Sequence, residues 1–365
     1  MKLQELIHTL NYQVPFNSAE SWDNVGLLIG DETSEITGIL TTLDCTEGVV
    51  DEALEKDMNT IISHHPLIFK GIKNINQSDG YGAIIRKLIK HDMNLIALHT
   101  NLDVHPNGVN AMLANRIQLL DTSILSPNLH HYYKVQVFIP EDSSETFKSK
   151  LSELGLAQEG NYESCFFQTT GQGQFKPVGA ANPTIGTHDK IEYVEETKIE
   201  FMIRSDQKVL AQNAIEKYHP YETPVYDIMQ MSKNSNSGLG VIGHLEKALS
   251  VEEFVQHVKK QLDMKSVRFI GNLNDKIQNV AIIGGAGIGF EELAQQAGAD
   301  IFLTGDIKHH EALDAKIAHI NMLDINHYSE HVMKEGLIQL LQRWFEDLNV
   351  PIEPCKINTD PYYYF

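Results

Sequence analysis

Three times in this chain a short apolar run stops at a histidine or carboxylate and gives way to a helical pattern. Thr60-Ile61-Ile62 leads into Ser63-His64-His65-Pro66. Asn94-Leu95-Ile96-Ala97-Leu98 leads into His99-Thr100-Asn101-Leu102-Asp103. Met322-Leu323-Asp324-Ile325 leads into Asn326-His327-Tyr328-Ser329-Glu330. Short apolar strands alternating with helices imply βαβ units and a largely parallel sheet. In such sheets ligands sit outside the carboxyl ends of the strands, which is where these polar residues fall. The first and third stretches lie more than 250 positions apart. Their convergence would make one body from both ends of the chain.

The surrounding sequence predicts an α/β protein with an insertion. Residues 36–43, 59–63 and 94–98 read as strands, and 47–56 and 81–91 as helices, with Ile84, Ile85, Leu88 and Ile89 on one face. Residues 133–139 alternate polar and apolar, as a half-exposed strand does. A helix at 145–154, strands at 164–169 and 198–203, a helix at 207–217 and a strand at 224–229 follow. That order predicts a ferredoxin-like α+β module. Residues 171–183 read as a long turn-rich loop, and 234–238 as a polar, flexible boundary. Strands then recur at 267–270, 280–283, 301–303 and 322–325, with helices at 251–262, 290–297, 309–317 and 331–344. The expectation is an α/β body made from residues 1–128 and 236–365, with residues 129–235 inserted.

Imidazole and carboxylate are ligands for borderline and hard divalent cations. Within a strand His64 and His65 would point to opposite faces. At a strand end before Pro66 the backbone turns, and the rings can diverge toward two ions. Asp103 either bridges two cations or caps a helix starting near Asn107. His99 orients Asp103 or a bound water, or is simply packed. His327 and Glu330, at i and i+3, share a helix face, with Glu330 either a bridging ligand or a first-turn charge; His331 is a substitute. Asp306 and His309, beyond the 301–303 strand, are expected to line the pocket, with His310 on a solvated face. The Gly-rich run 283–289 is neither G-x-G-x-x-G nor a P-loop. It reads as a tight turn, or as a cradle for an anion.

Composition removes several classes. Net charge is −20 and no Lys/Arg cluster appears, which opposes nucleic-acid binding. No apolar run approaches the roughly 20 residues of a membrane span. Leu3, Leu6, Ile7 and Leu10 share one face of an N-terminal helix that lacks the features of a signal peptide. The 3 cysteines are far apart, which argues for a reducing, cytoplasmic setting.

Taken together, 21–27 (Ser-Trp-Asp-Asn-Val-Gly-Leu), Ser63-His64-His65-Pro66-Leu67, His99-Thr100-Asn101-Leu102-Asp103, Thr304-Gly305-Asp306-Ile307-Lys308-His309 and His327…Glu330 resemble the GTP cyclohydrolase I type 2 homolog family, the Nif-three-like proteins. Asn182-Pro183-x-Ile185-Gly186 and His219-Pro220-Tyr221-Glu222 resemble the PII/CutA-like insertion of its longer bacterial members. The resemblance implies a dinuclear centre of two divalent ions, zinc first, with iron or manganese as alternatives. It implies His64, His65, Asp103, His327 and Glu330 as ligands, and a toroidal homohexamer whose sites face an interior cavity. Two positions depart from the commonest pattern: Asn326 stands where Gly is usual, and Glu330 follows His327 by three positions where many shorter members have four. The implied activity is metal-dependent hydrolysis of a nucleotide such as GTP. The alternative is a metal-handling or regulatory ring without turnover.

Overall fold

Short runs rich in Ile, Leu and Thr form the strands here, because β-branched and aliphatic side chains pack well on both faces of a covered sheet. The computed structural model describes residues 1–76, 80–345 and 348–364. In chain order the strands are β1 (Gly26–Ile29), β2 (Ile39–Thr42), β3 (Thr60–Ser63), β4 (Asn94–Ala97), β5 (Leu120–Pro140) and β6 (Phe166–Phe175). They continue with β7 (Glu192–Arg204), β8 (Val225–Ser250), β9 (Arg268–Ile270), β10 (Lys276–Ile282), β11 (Ile301–Thr304), β12 (Met322–Asp324) and β13 (Ile352–Pro354). The chain divides into two compact units, one from Met1–Asn128 and the chain beyond Asn236, the other Leu129–Ser235.

The first unit has a sheet ordered β1-β4-β3-β2-β13. β13, β2, β3 and β4 run parallel, while β1 closes the edge antiparallel to β4. Every residue of β2, β3 and β4 is buried. The register aligns Thr42 with Ser63 and Ser63 with Ala97. Residues just past these three strands therefore emerge level with one another on one edge. A second sheet carries β10, β11 and β12 in parallel, with β8 and β9 antiparallel at either side. One apolar core joins the two sheets: Ile39, Ile62 and Ile96 pack in the same cluster as Ile282, Leu303 and Leu323. The N-terminal helix Leu3–Gln13 adds Leu3, Leu6 and Leu10 to it, all fully buried. At about 25 cal/mol per Å², such side chains each contribute roughly 1.5–3 kcal/mol.

The second unit follows the order strand, helix, strand, strand, helix, strand, with sheet order β6-β7-β5-β8. The helices Ser144–Glu153 and Lys208–Tyr218 bury Phe147, Leu151, Ala211 and Ile215 against Val135, Val137, Ile199 and Phe201 of β5 and β7.

Three expectations need correction. Residues 171–175 are strand, not loop: β6 runs to Phe175 and pairs with β7 from Gly171↔Glu196 to Phe175↔Glu192. Residues 234–238 lie inside β8, not in a flexible linker. Pairing within the sheet overrides their polar composition in both cases, because sheet propensity is set by context. The second sheet is mixed rather than largely parallel, since β8 and β9 oppose β10 and β12.

Candidate metal centre

Each site residue leaves the end of a strand. The parallel ladder persists one step past β3, with the amides of His64 and His65 donating to the carbonyls of Thr42 (3.0 Å) and Leu43 (2.9 Å). The two rings then splay, with centroids 5.2 Å apart and planes at 43°. Past β4, His99 opens a short helical turn, Thr100–Asp103, which swings Asp103 toward His64. The helix after it begins at Val109, and its first turn has no side-chain cap, so Asp103 is no helix cap. Past β12, Asn326 adopts φ 61°, ψ 147° and its side chain accepts from the Tyr328 amide. Such a backbone is favourable almost only to glycine. A 3-10 turn from His327 to Val332 follows and buries Glu330.

Four imidazoles point the same way because their Nδ1 atoms are already engaged. Nδ1 of His64 meets the Leu98 carbonyl at 2.7 Å, and Nδ1 of His65 meets Asp44 Oδ1 at 2.7 Å. Nδ1 of His99 meets Asp23 Oδ1 at 2.8 Å, and Nδ1 of His327 meets Asp306 Oδ2 at 2.7 Å. A ring fixed in this way aims its Nε2 at a ligand. Nε2 of His65 and of His327 lie 3.2 and 3.3 Å from Glu330 Oε2, and Nε2 of His64 lies 3.5 Å from Asp103 Oδ1. Three groups of potential ligand atoms each fall within 4.8 Å: His64 with His65 and His99; His65 with His327 and Glu330; His64 with Asp103 and Glu330. His64 Nε2 is fully buried and without a hydrogen-bond partner. Leaving such an atom unsatisfied costs about 1–3 kcal/mol, and a cation among these donors removes that cost. The donor set thus fits a divalent metal.

The charges are strongly coupled. Burial opposes protonation of His65, but hydrogen bonds to Asp44 and Glu330 outweigh it and push the ring up to about 10. His327 rises to about 9, chiefly through its hydrogen bond to Glu330. Burial pushes Asp103 up to about 6. Burial also acts on Glu330, but the three histidines around it hold its carboxylate well below the usual range.

The second sheet forms the other wall. Built on Gly285, which has φ 61°, a Cβ would lie 2.8 Å from Glu330 Oε1; on Gly305 it would lie 2.7 Å from the His327 amide nitrogen. Gly284 and Gly285 of the Gly-rich run permit a close approach to Glu330. A cavity of about 460 Å3 opens beside His65 and His327, lined also by Asp44, Asp306, Tyr328 and Tyr362.

The structure therefore brings together His64, His65, Asp103, His327 and Glu330, with Asp306 behind His327. It also turns the His99 ring toward His64 and His65, as a member of a ligand group rather than a residue orienting Asp103. His309 does not join them: it is exposed at the first position of the helix His309–Ile317, with its ring against His310. His331 stacks on Tyr328 and binds its carbonyl. Sequence reasoning assigned no role to Asp44 or Asp23. Asp44 carried a usable signal, since it too sits just past the carboxyl end of a buried strand.

Fold and site define an α/β protein with a cluster of histidines and carboxylates past the strand ends of two sheets that share one core. Residues 1–361 match the model of Duf34/NIF3 (NGG1p interacting factor 3), and the chain belongs to this family. It is 60% identical over 366 residues to a Staphylococcus aureus protein named GTP cyclohydrolase 1 type 2 homolog, covering 100% of both chains. A Staphylococcus epidermidis protein of the same name is 59% identical over 366 residues, again over 100% of both. Among solved structures, a Staphylococcus aureus protein superposes with TM-score 0.86 at 54% identity, covering 100% of this chain and 99% of that one. A Bacillus cereus protein related to NIF3 gives TM-score 0.73 at 36% identity, with 100% and 99% covered.

Proposed function

We propose that this chain holds two divalent ions and is a metal-dependent hydrolase acting on a nucleotide such as GTP. The observation that carries the metal reading is the pairwise overlap of the three ligand groups: His64, His65 and Glu330 each belong to two of them. Six donors arranged in this way exceed one tetrahedral set and suit two neighbouring ions with Glu330 between them. Imidazole with carboxylate favours zinc, with iron or manganese as alternatives. Two bound ions would supply Lewis acidity and a hydroxide nucleophile at neutral pH. Asp23, Asp44 and Asp306 hold the imidazoles in place, and the cavity beside His65 and His327 admits the substrate. The name of the Staphylococcus relatives supports GTP as the first substrate to test.

The remaining proposals concern assembly. A cytoplasmic, ring-shaped homohexamer follows from the family resemblance. No described helix is long and apolar enough to cross a membrane. The inserted unit is assigned to the ferredoxin-like, PII/CutA-like kind, on the support of its β6-β7-β5-β8 strand order.

The test is metal content together with GTP consumption. About two ions per chain, lost in His64→Ala and Glu330→Ala, with turnover lost alongside, is the expected result. Less than one ion per chain refutes the dinuclear centre. Full loading with zinc, iron and manganese in turn, with GTP unconsumed each time, refutes the substrate.

A further inference from the structure

The cavity beside the metal centre shares Asn326, Tyr328 and Tyr362 with a second cavity of about 380 Å3, whose other lining includes Lys265, Lys334 and Lys356. The two differ in their cationic side chains. The metal-side cavity presents Asp44 and Asp306, and no lysine or arginine among the described residues. The second gathers three lysines against Asp263 and Asp360, in a chain where Asp and Glu outnumber Lys and Arg by 49 to 29. Lys56, Lys87 and Lys150 each pair with a carboxylate. No described carboxylate comes within 4.0 Å of the Lys265 or Lys356 ammonium. Lys334 Nζ is held by the Cys355 carbonyl at 3.0 Å, which leaves two of its three donors free.

Unpaired ammonium groups converging on a concave site attract a multiply charged anion, and lysine binds phosphate as a point charge. We propose that this second cavity is a phosphate subsite, seating the phosphate end of a phosphorylated small molecule whose other end reaches the metal-side cavity past Tyr328 and Tyr362. The reach to the metal rests on the hydrolase reading; the phosphate subsite itself does not. The lysine cavity offers three cationic side chains in a lining that also includes Asn326 and Tyr328, the two sequence neighbours of His327.

The probe is inorganic pyrophosphate, titrated calorimetrically into the full chain both metal-loaded and metal-stripped, so that binding to the ions themselves is separated out. Lys265→Gln/Lys356→Gln removes two exposed side chains, and circular dichroism checks that the fold persists. In both metal states the double variant is expected to bind pyrophosphate roughly tenfold or more weakly, the loss of charge-assisted hydrogen bonds. Lys247→Gln/Lys260→Gln makes the same charge change at exposed positions outside the cavity and is expected to bind as the natural chain does. Equal affinity in the Lys265/Lys356 and natural chains, or an equal loss in both double variants, overturns the subsite. Lysine-dependent pyrophosphate binding without any nucleotide turnover keeps the subsite and removes the hydrolase reading. Turnover of GTP with a KM untouched by the Lys265/Lys356 change does the reverse.

Discussion

Loading the site with metal is expected to expel protons, and the number follows from its geometry. In the ion-free protein at pH 7, His65 at about 10 and His327 at about 9 both carry a proton on Nε2, stabilised by the Glu330 carboxylate between them. Their Nε2 atoms are 3.3 Å apart, so the two rings titrate as a pair. Ligation requires neutral imidazole, so each of these protons must leave. Glu330 is already ionised, and Asp103, at about 6, is mostly so. Metal binding at pH 7 is therefore expected to release at least the two protons of His65 and His327, and His64, which Asp103 and Glu330 raise against its burial, adds to that count. The sign is fixed by the direction of the shifts: a raised imidazole pKa lets the proton compete at every pH below it. The logarithm of the affinity is thus expected to climb by at least about two per pH unit from near pH 7 to near pH 9, and to flatten above about pH 10. Calorimetric titration of zinc into stripped protein, in buffers of different ionisation enthalpy, counts the protons directly. Release of less than one proton, or an affinity flat from pH 7 to 9, would refute the reasoning.

Three further outcomes follow from particular contacts. Asp44→Asn and Asp306→Asn, which loosen the rings of His65 and His327, are each expected to weaken metal binding roughly 10- to 100-fold in a chelator competition while His309→Ala leaves it unchanged; a full-strength Asp44→Asn site would count against the ring-orienting role. Gly285→Ala sets a Cβ against Glu330 at a positive φ, and a loss of about 1–3 kcal/mol in denaturant unfolding is expected, together with weaker metal binding. Unchanged stability would mean that the wall can retreat. Glu52 is buried and accepts from the Lys356 amide (2.9 Å), the Ile357 amide (3.1 Å) and Cys355 Sγ (2.9 Å). Glu52→Ala is therefore expected to cost about 2–4 kcal/mol and to expose Cys355 to a thiol reagent. Burial opposes the Glu52 charge but these hydrogen bonds win, lowering it to about 2; its contribution is complete above about pH 4.5 and lost as pH falls toward 2. A stability curve without that acid limb would sink the assignment.

Much of this fold was legible because it rests on local periodicity. The short apolar runs became β3, β4, β11 and β12 within a residue or two, and the helix His309–Ile317 matched its predicted bounds. The convergence of these histidines and carboxylates was legible for a related reason: they sit at strand ends, a position that can be located without knowing the sheet order. What depended on partners was not legible. Residues 171–175 and 234–238 look like loops, and only their neighbours in the sheet make them strands. The role of Asp23 depends on a ring 76 positions away. His309 shows the opposite failure. It lies near Asp306 in sequence, but the helix that starts there carries it into solvent.

The arrangement also explains why an insertion between the two stretches of the α/β unit leaves the site intact. His64, His65, His99 and Asp103 come from one sheet, His327 and Glu330 from the other, and the core that aligns the sheets is shared. Neither stretch alone supplies more than one complete ligand group: only His64 with His65 and His99 is formed within the first. Both groups containing Glu330 require the chain to return after the insert. If the site holds metal as proposed, its affinity is expected to report on the docking of the two sheets, and a core change such as Leu323→Ala, in the shared cluster, is expected to weaken metal binding as well as stability. The cost to stability should be about 2–5 kcal/mol. A variant that lost this stability yet held metal at full affinity in its folded state would show that the ligands are organised locally, at each strand end, and not by the meeting of the sheets.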